Sequence, residues 1–201
     1  MTASREIFIV DDDAAVRNAL SMVFSRDGFH VSDFGDGNSF LAAVRARPPA
    51  CIILDVHMPG RSGLDILKEL NAENYGAPIF IISGQGDIPM AVDAIKNGAL
   101  DFIEKPLDDT VVARVRDAIA AWEQRAARPE SNGPLKPNFP NRERLTKREL
   151  EVLALIASGA SNKEAGRELR ISPRTIEVHR ARIMEKLGAK NAADLVRIVL
   201  S

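Results

Sequence analysis

Four aspartates, a serine and a lysine stand at the ends of four short strand-like segments, and together they suit one chemistry. The run 7–10 ends in Asp11-Asp12-Asp13, the run 51–54 in Asp55, the run 79–82 in Ser83-Gly84, and the segment 102–104 in Lys105-Pro106. The C-terminal ends of strands are where a parallel α/β sheet keeps its reactive groups. Carboxylates about 4 Å apart repel by roughly 4 kcal/mol at an effective dielectric of 20, so such a cleft is built to hold positive charge. Mg²⁺ fits, because it takes carboxylate and carbonyl oxygens and keeps several waters. A carboxylate beside that cation is a nucleophile toward phosphorus. A hydroxyl and an ammonium group then meet the oxygens of the transferring group. A single aspartate after a strand is commonly a turn or a helix cap. The coincidence at four strand ends points instead to a site.

The elements that must position these groups follow from hydrophobic pattern. The continuous apolar runs 7–10, 51–54 and 79–82 read as central parallel strands covered on both faces. The mixed segment 29–33 reads as an edge strand. Helix patterns lie between them: Val16, Leu20, Val23 and Phe24 up to Gly28; Phe40, Leu41 and Val44 up to Pro48-Pro49; Leu64, Leu67 and Leu70 after Gly63. Further patterns run from Ile88 to Ile95 and through Val111, Val115, Ile119 and Trp122. The result is a (βα)5 unit over residues 1–122. Right-handed crossovers favour a five-stranded doubly wound sheet. In the strand order 2-1-3-4-5, the ends carrying Asp11-Asp12 and Asp55 are neighbours.

The patterns IVDDD, LDVHMPG, IISG and DFIEKP resemble the receiver domain of two-component response regulators over residues 5–122. The resemblance implies that Asp55 is the phospho-acceptor, and that Asp11, Asp12, Asp55 and the backbone carbonyl of His57 hold Mg²⁺. It also implies that Ser83 and Phe102 are the switch pair, that Lys105 binds the phosphoryl group, and that Lys105-Pro106 is a cis peptide. His57 and Gln85 fall at the positions where receivers differ in dephosphorylation rate. His30, His57 and His179 are scattered and give no zinc spacing.

Residues 123–142 are polar and proline-rich, with Leu135 and Phe139 as their large apolar groups, and read as a semi-rigid linker. From Leu145 the strand patterns stop. Thr146 with Glu149 forms a capping box, and Leu150, Leu153, Leu155 and Ile156 supply an apolar face up to Gly159. Ser161 caps a short helix to Leu169-Arg170. Ser172 and Pro173 open a longer helix, 174–187, ending at Gly188, and 192–200 forms the last. Two helices joined by a tight turn inside this all-α, four-helix unit fit a helix-turn-helix.

Residues 143–201 resemble the LuxR/NarL-type helix-turn-helix, through LTKRELEVLALIASGASNKEAGRELRISPRTIEVHRARIMEKLGAKN. Joined to a receiver, this module makes the whole chain resemble the FixJ/NarL class of response regulators. Gly166 departs from the usual alanine and is expected to soften its helix by up to about 1 kcal/mol. Ile176, Ile183 and Leu187 form the inner stripe of the long helix. Arg174, Thr175, Glu177, Val178, Arg180, Ala181 and Arg182 are the expected DNA-facing residues, with an exposed Val178 suited to a thymine methyl. Ser161, Asn162 and Lys163 open the preceding helix toward phosphate.

Charge is divided accordingly. Residues 1–122 carry 11 Lys and Arg against 18 Asp and Glu, a balance of −7; residues 142–201 carry 13 against 8, a balance of +5. No apolar stretch has the length of a membrane span. Cys51, the single cysteine, forms no internal disulfide. The expectation is a cytoplasmic transcription regulator, not an enzyme. Its expected partners are a histidine kinase, double-stranded DNA, a second copy upon phosphorylation, and RNA polymerase. A second reading, a phosphatase of the haloacid-dehalogenase type, requires an aspartate where His57 stands and leaves the helix-turn-helix without a role.

Overall fold

The computed structural model describes residues 5–84, 88–108, 110–126, 135 and 139–200. The chain divides into two compact units, Met1–Glu123 and Gln124–Ser201.

The first unit is a parallel sheet of β1 (Glu6–Val10), β2 (His30–Phe34), β3 (Cys51–Asp55), β4 (Ile79–Ser83) and β5 (Asp101–Glu104), in the order β2-β1-β3-β4-β5. Every residue of β3 and β4, and all but the first of β1, is buried, as expected of strands covered on both faces. β2 sits at the edge and is half-exposed. Register brings the reactive ends together. Val10 pairs with Leu54, so Asp11 and Asp55 follow side by side; Asp55 pairs with Ile82, so Ser83 lies one step beyond. Burial in β3 pushes the Cys51 thiol far above its ordinary pKa, which makes it an inert core group.

The connecting helices are α1 (Ala14–Arg26), α2 (Gly37–Ala46), α3 (Gly63–Glu69), α4 (Ile88–Lys96) and α5 (Thr110–Ala126). α2 buries Phe40, Leu41 and Val44 as its pattern requires. α1 departs from expectation: Leu20 and Phe24 are buried, whereas Val23 is 42% and Met22 73% exposed. The i, i+4 pair meets the sheet, and Val23, one helical step round, falls outside the contact. In α3 the buried residues are Ile66 and Leu67, with Leu64 and Leu70 only half-buried. α5 extends to Ala126, so the first four residues of the expected linker are helical. Leu135 and Phe139 are buried, unlike the side chains of a solvated linker. Residues 127–134 and 136–138 of that segment lie outside the described residues, as does Gln85.

The second unit contains α6 (Lys147–Ala157), α7 (Asn162–Leu169), α8 (Pro173–Leu187) and α9 (Ala192–Leu200). Thr146 and Glu149 form the expected capping box, and Ser161 with Glu164 forms another. Ser172 caps α8 with Pro173 in its first turn, and Gly188 ends it at φ 68°. The buried face of α6 is Glu149, Val152, Leu153 and Ile156, while Leu150 and Leu155 are half-buried. Gly166 has a different role from the softening expected of it. A Cβ there would stand 2.8 Å from the Ile171 carbonyl oxygen, so glycine lets the α7–α8 turn close onto α7.

Candidate functional site

At the C-terminal edge of the sheet, the carboxylate oxygens of Asp11, Asp12 and Asp55 lie within 4.8 Å of one another. Asp11 is 0% and Asp55 3% exposed, while Asp12 is open to solvent. The Lys105 ammonium bridges the two buried acids, with Nζ 2.9 Å from Asp11 Oδ2 and 2.9 Å from Asp55 Oδ1. The backbone N–H of His57 donates to Asp55 Oδ2 at 2.9 Å, and the His57 side chain points to solvent. Ser83 is buried at the end of β4, and its carbonyl accepts from the Lys105 N–H at 2.8 Å, tying two strand ends together. Lys105-Pro106 is cis, as expected. Phe102 is half-buried on β5.

Burial raises the Asp55 pKa above the ordinary carboxylate value; hydrogen bonding and charge from Lys105 oppose this, and the Asp11 charge adds to it. For Lys105, burial disfavours the ammonium, but its hydrogen bonds to Asp11 and Asp55 outweigh burial and its pKa ends raised. The two directions are compatible because one cation is shared between two buried anions. Lys105 stays charged while the acid pair remains short of positive charge. The donor set is all hard oxygen, one carboxylate of it solvent-accessible, which is the chemistry that Mg²⁺ accepts.

Two residues support the site in ways the sequence did not signal. Arg17, on α1, donates from NH1 to the carbonyls of Asp11 at 2.8 Å and Asp12 at 3.0 Å, and from Nε to Asp33 at 3.0 Å. It thereby fixes the backbone of the acid loop. Gly63 opens α3 directly beneath the Asp55 peptide, where a Cβ would stand 2.3 Å from the Asp55 carbonyl oxygen. Its spacing marked it only as a turn.

In the second unit the outward face of α8 differs from expectation. Arg174, Glu177, Ala181 and Glu185 are exposed. Val178 is only 9% and Thr175 0% exposed, and the Thr175 hydroxyl lies 2.8 Å from the Ser172 hydroxyl. Arg182 turns back to α6, with Nε 3.6 Å from Glu149 Oε1, and Lys186 Nζ lies 2.8 Å from Glu149 Oε2. Arg180 is half-buried and donates to Asn162 Oδ1 at 2.9 Å. The expectation of an exposed valine amid arginines is therefore corrected, since Val178 is buried and Arg180 and Arg182 are turned toward α7 and α6. α8 packs against both α6 and α7, which buries Thr175, Val178 and His179 beside the inner stripe of Ile176, Ile183 and Leu187. Glu149 was expected only as the capping partner of Thr146; its pairing with Arg182 and Lys186 and the burial of His179 were not anticipated, because nothing in local spacing marks partners some 30 residues away. At the start of α7, Ser161 and Lys163 are exposed and Asn162 is half-buried.

The geometry defines a class that comparison with known proteins bears out. Residues 7–116 match the response regulator receiver domain, and residues 143–199 match the luxR family of bacterial regulatory proteins. The transcriptional regulatory protein FixJ of Bradyrhizobium diazoefficiens is 40% identical over 201 residues, covering 100% of this chain and 97% of its own. The response regulator protein TodT of Pseudomonas putida is 42% identical over 193 residues, or 96% of this chain and 84% of its own. The crystal structure of full-length FixJ from B. japonicum superposes with a TM-score of 0.58 at 39% identity, covering 98% of this chain and 96% of that one. The chain belongs to the FixJ-like response regulators, transcription regulators in which a phosphorylation-controlled receiver is joined to a LuxR-type DNA-binding domain. Among the described residues, no helix is long and apolar enough to cross a membrane.

Proposed function

We propose that Asp55 accepts a phosphoryl group from the phosphohistidine of a partner kinase. The supporting observation is the Lys105 ammonium shared between the buried Asp11 and Asp55 at adjoining strand ends. A carboxylate oxygen of Asp55 attacks phosphorus as the bond to the donor imidazole breaks. Lys105 neutralises one phosphoryl oxygen, and the Ser83 hydroxyl donates to another. Asp11, Asp12, Asp55 and the His57 carbonyl would hold Mg²⁺, which when bound would supply the remaining positive charge. Phe102 fills the space that Ser83 leaves, which alters the surface of α4 and β5 and favours a homodimer. The switched protein binds double-stranded DNA and engages RNA polymerase, in the cytoplasm. α8 enters the major groove through Arg174, Glu177 and Ala181, while Ser161 and Lys163 at the start of α7 meet phosphate. Mass spectrometry after acetyl-phosphate treatment tests the acceptor: the wild type gains one phosphoryl group and Asp55→Asn none. Equal labelling of the variant would overturn the assignment.

A further inference from the structure

Glu177 sits awkwardly for a DNA-binding face. It is one of the exposed residues on the outward side of α8, between Arg174 and Ala181, and carries negative charge toward a polyanion. Its carboxylate is also held. Asn162 Nδ2 donates to Glu177 Oε1 at 3.2 Å, and Asn162 Oδ1 accepts from Arg180 NH1 at 2.9 Å. The amide has one orientation that serves both partners, because the reverse would set its NH₂ group against guanidinium N–H groups that cannot accept. The chain Arg180–Asn162–Glu177 therefore holds Glu177 from the first turn of α7 through Oε1, and among the described residues Oε2 remains available to accept.

An ionised carboxylate is acceptor-only, so in the major groove it can bond only to a base amine. Adenine shows its amine beside the N7 acceptor, which would repel the second carboxylate oxygen. Cytosine shows its N4 amine with no acceptor beside it on the same base. We propose that Glu177 is a specificity-determining residue that reads the N4 amine of a cytosine, and that Asn162 is the positioning residue that aims it. This rests on the reading of α8 as the groove helix.

The test is selection from random DNA by the acetyl-phosphate-treated full chain, comparing wild type, Glu177→Ala, Glu177→Gln, Asn162→Ala and Arg174→Ala. The wild type should select a motif with cytosine at one position of each half-site. Glu177→Ala should lose about tenfold discrimination at that position, the order expected of one base contact. Glu177→Gln should move the preference there to adenine, which a glutamine amide matches. Asn162→Ala should broaden the same position and leave the others unchanged. If Glu177→Ala keeps the wild-type motif and binds every sequence more tightly, Glu177 is only a repulsive charge and the proposal fails. If Asn162→Ala weakens all sequences alike, Asn162 is a phosphate contact and the positioning role fails. A wild type that selects no motif, or one unchanged by both Arg174→Ala and Glu177→Ala, overturns the groove reading itself.

Discussion

His179 makes the DNA-binding domain sensitive to mild acid, and the size of the effect follows from its surroundings. His179 is 4% exposed, and neither ring nitrogen has a hydrogen-bond partner among the described residues. Burial, with the added charges of Arg148, Arg182 and Lys186, holds its pKa down to about 3. The unfolded chain has the ordinary histidine value of about 6.5. Between these two values the unfolded state binds a proton that the folded state refuses, so stability rises with pH through this window and is fully present above about 6.5. At pH 5 the loss from this group is about 2 kcal/mol, and at pH 4 about 3 kcal/mol. Against a typical domain stability of roughly 5–15 kcal/mol, that is a large share. Two measurements on the full chain check it. The His179 ring resonance should not titrate between pH 7.5 and 5, and the opening free energy of α8 amides, from hydrogen exchange, should fall by about 2 kcal/mol over that range. His179→Leu should remove that slope. A His179 resonance with a midpoint near 6, or an unchanged slope in the variant, would refute the reasoning.

Other outcomes follow from the same geometry. Glu149→Gln keeps the shape of the cap at Thr146 but leaves Lys186 and Arg182 without their buried anion. Unfolding of the second unit in urea should become easier by about 3 kcal/mol, the low end for a broken buried pair, because both cations keep some solvent. Gly63→Ala places a methyl group 2.3 Å from the Asp55 carbonyl oxygen. It should destabilise the receiver by about 1–3 kcal/mol and slow acetyl-phosphate labelling, whereas unchanged labelling would mean that the β3–α3 junction yields freely. Lys105→Ala removes the cation that Asp11 and Asp55 share, so calorimetry should show tighter Mg²⁺ binding while phosphoryl transfer slows; no gain in Mg²⁺ affinity would count against the shared-cation account. Beryllofluoride should convert the sedimenting species from monomer to dimer, and a monomer under both conditions would refute the proposed switch. A shift of a 1:99 balance to 99:1 requires about 5.5 kcal/mol of differential interaction.

The receiver was legible in sequence because its information is local. A continuous apolar run is what a strand buried on both faces requires, and each reactive group is covalently attached to the end of such a run. Asp11, Asp55, Ser83 and Lys105 could thus be placed on one edge before any contact was known. The helix caps at Thr146, Ser161 and Ser172 were legible for the same reason, since a cap acts within three residues. What tertiary structure alone decided is which partners meet across the fold. One lysine bridges two acids, Arg17 reaches back to the acid loop, and the first residue of α3 lies against the acceptor peptide. On α8 the 3.6-residue period identified an inner stripe but not the width of the buried face. With α6 and α7 packed on two sides, Thr175, Val178 and His179 join the core, and Arg180 and Arg182 are tied back to α7 and α6. Periodicity states the direction in which a helix is buried; the number of neighbours around it sets how many side chains remain free to touch DNA.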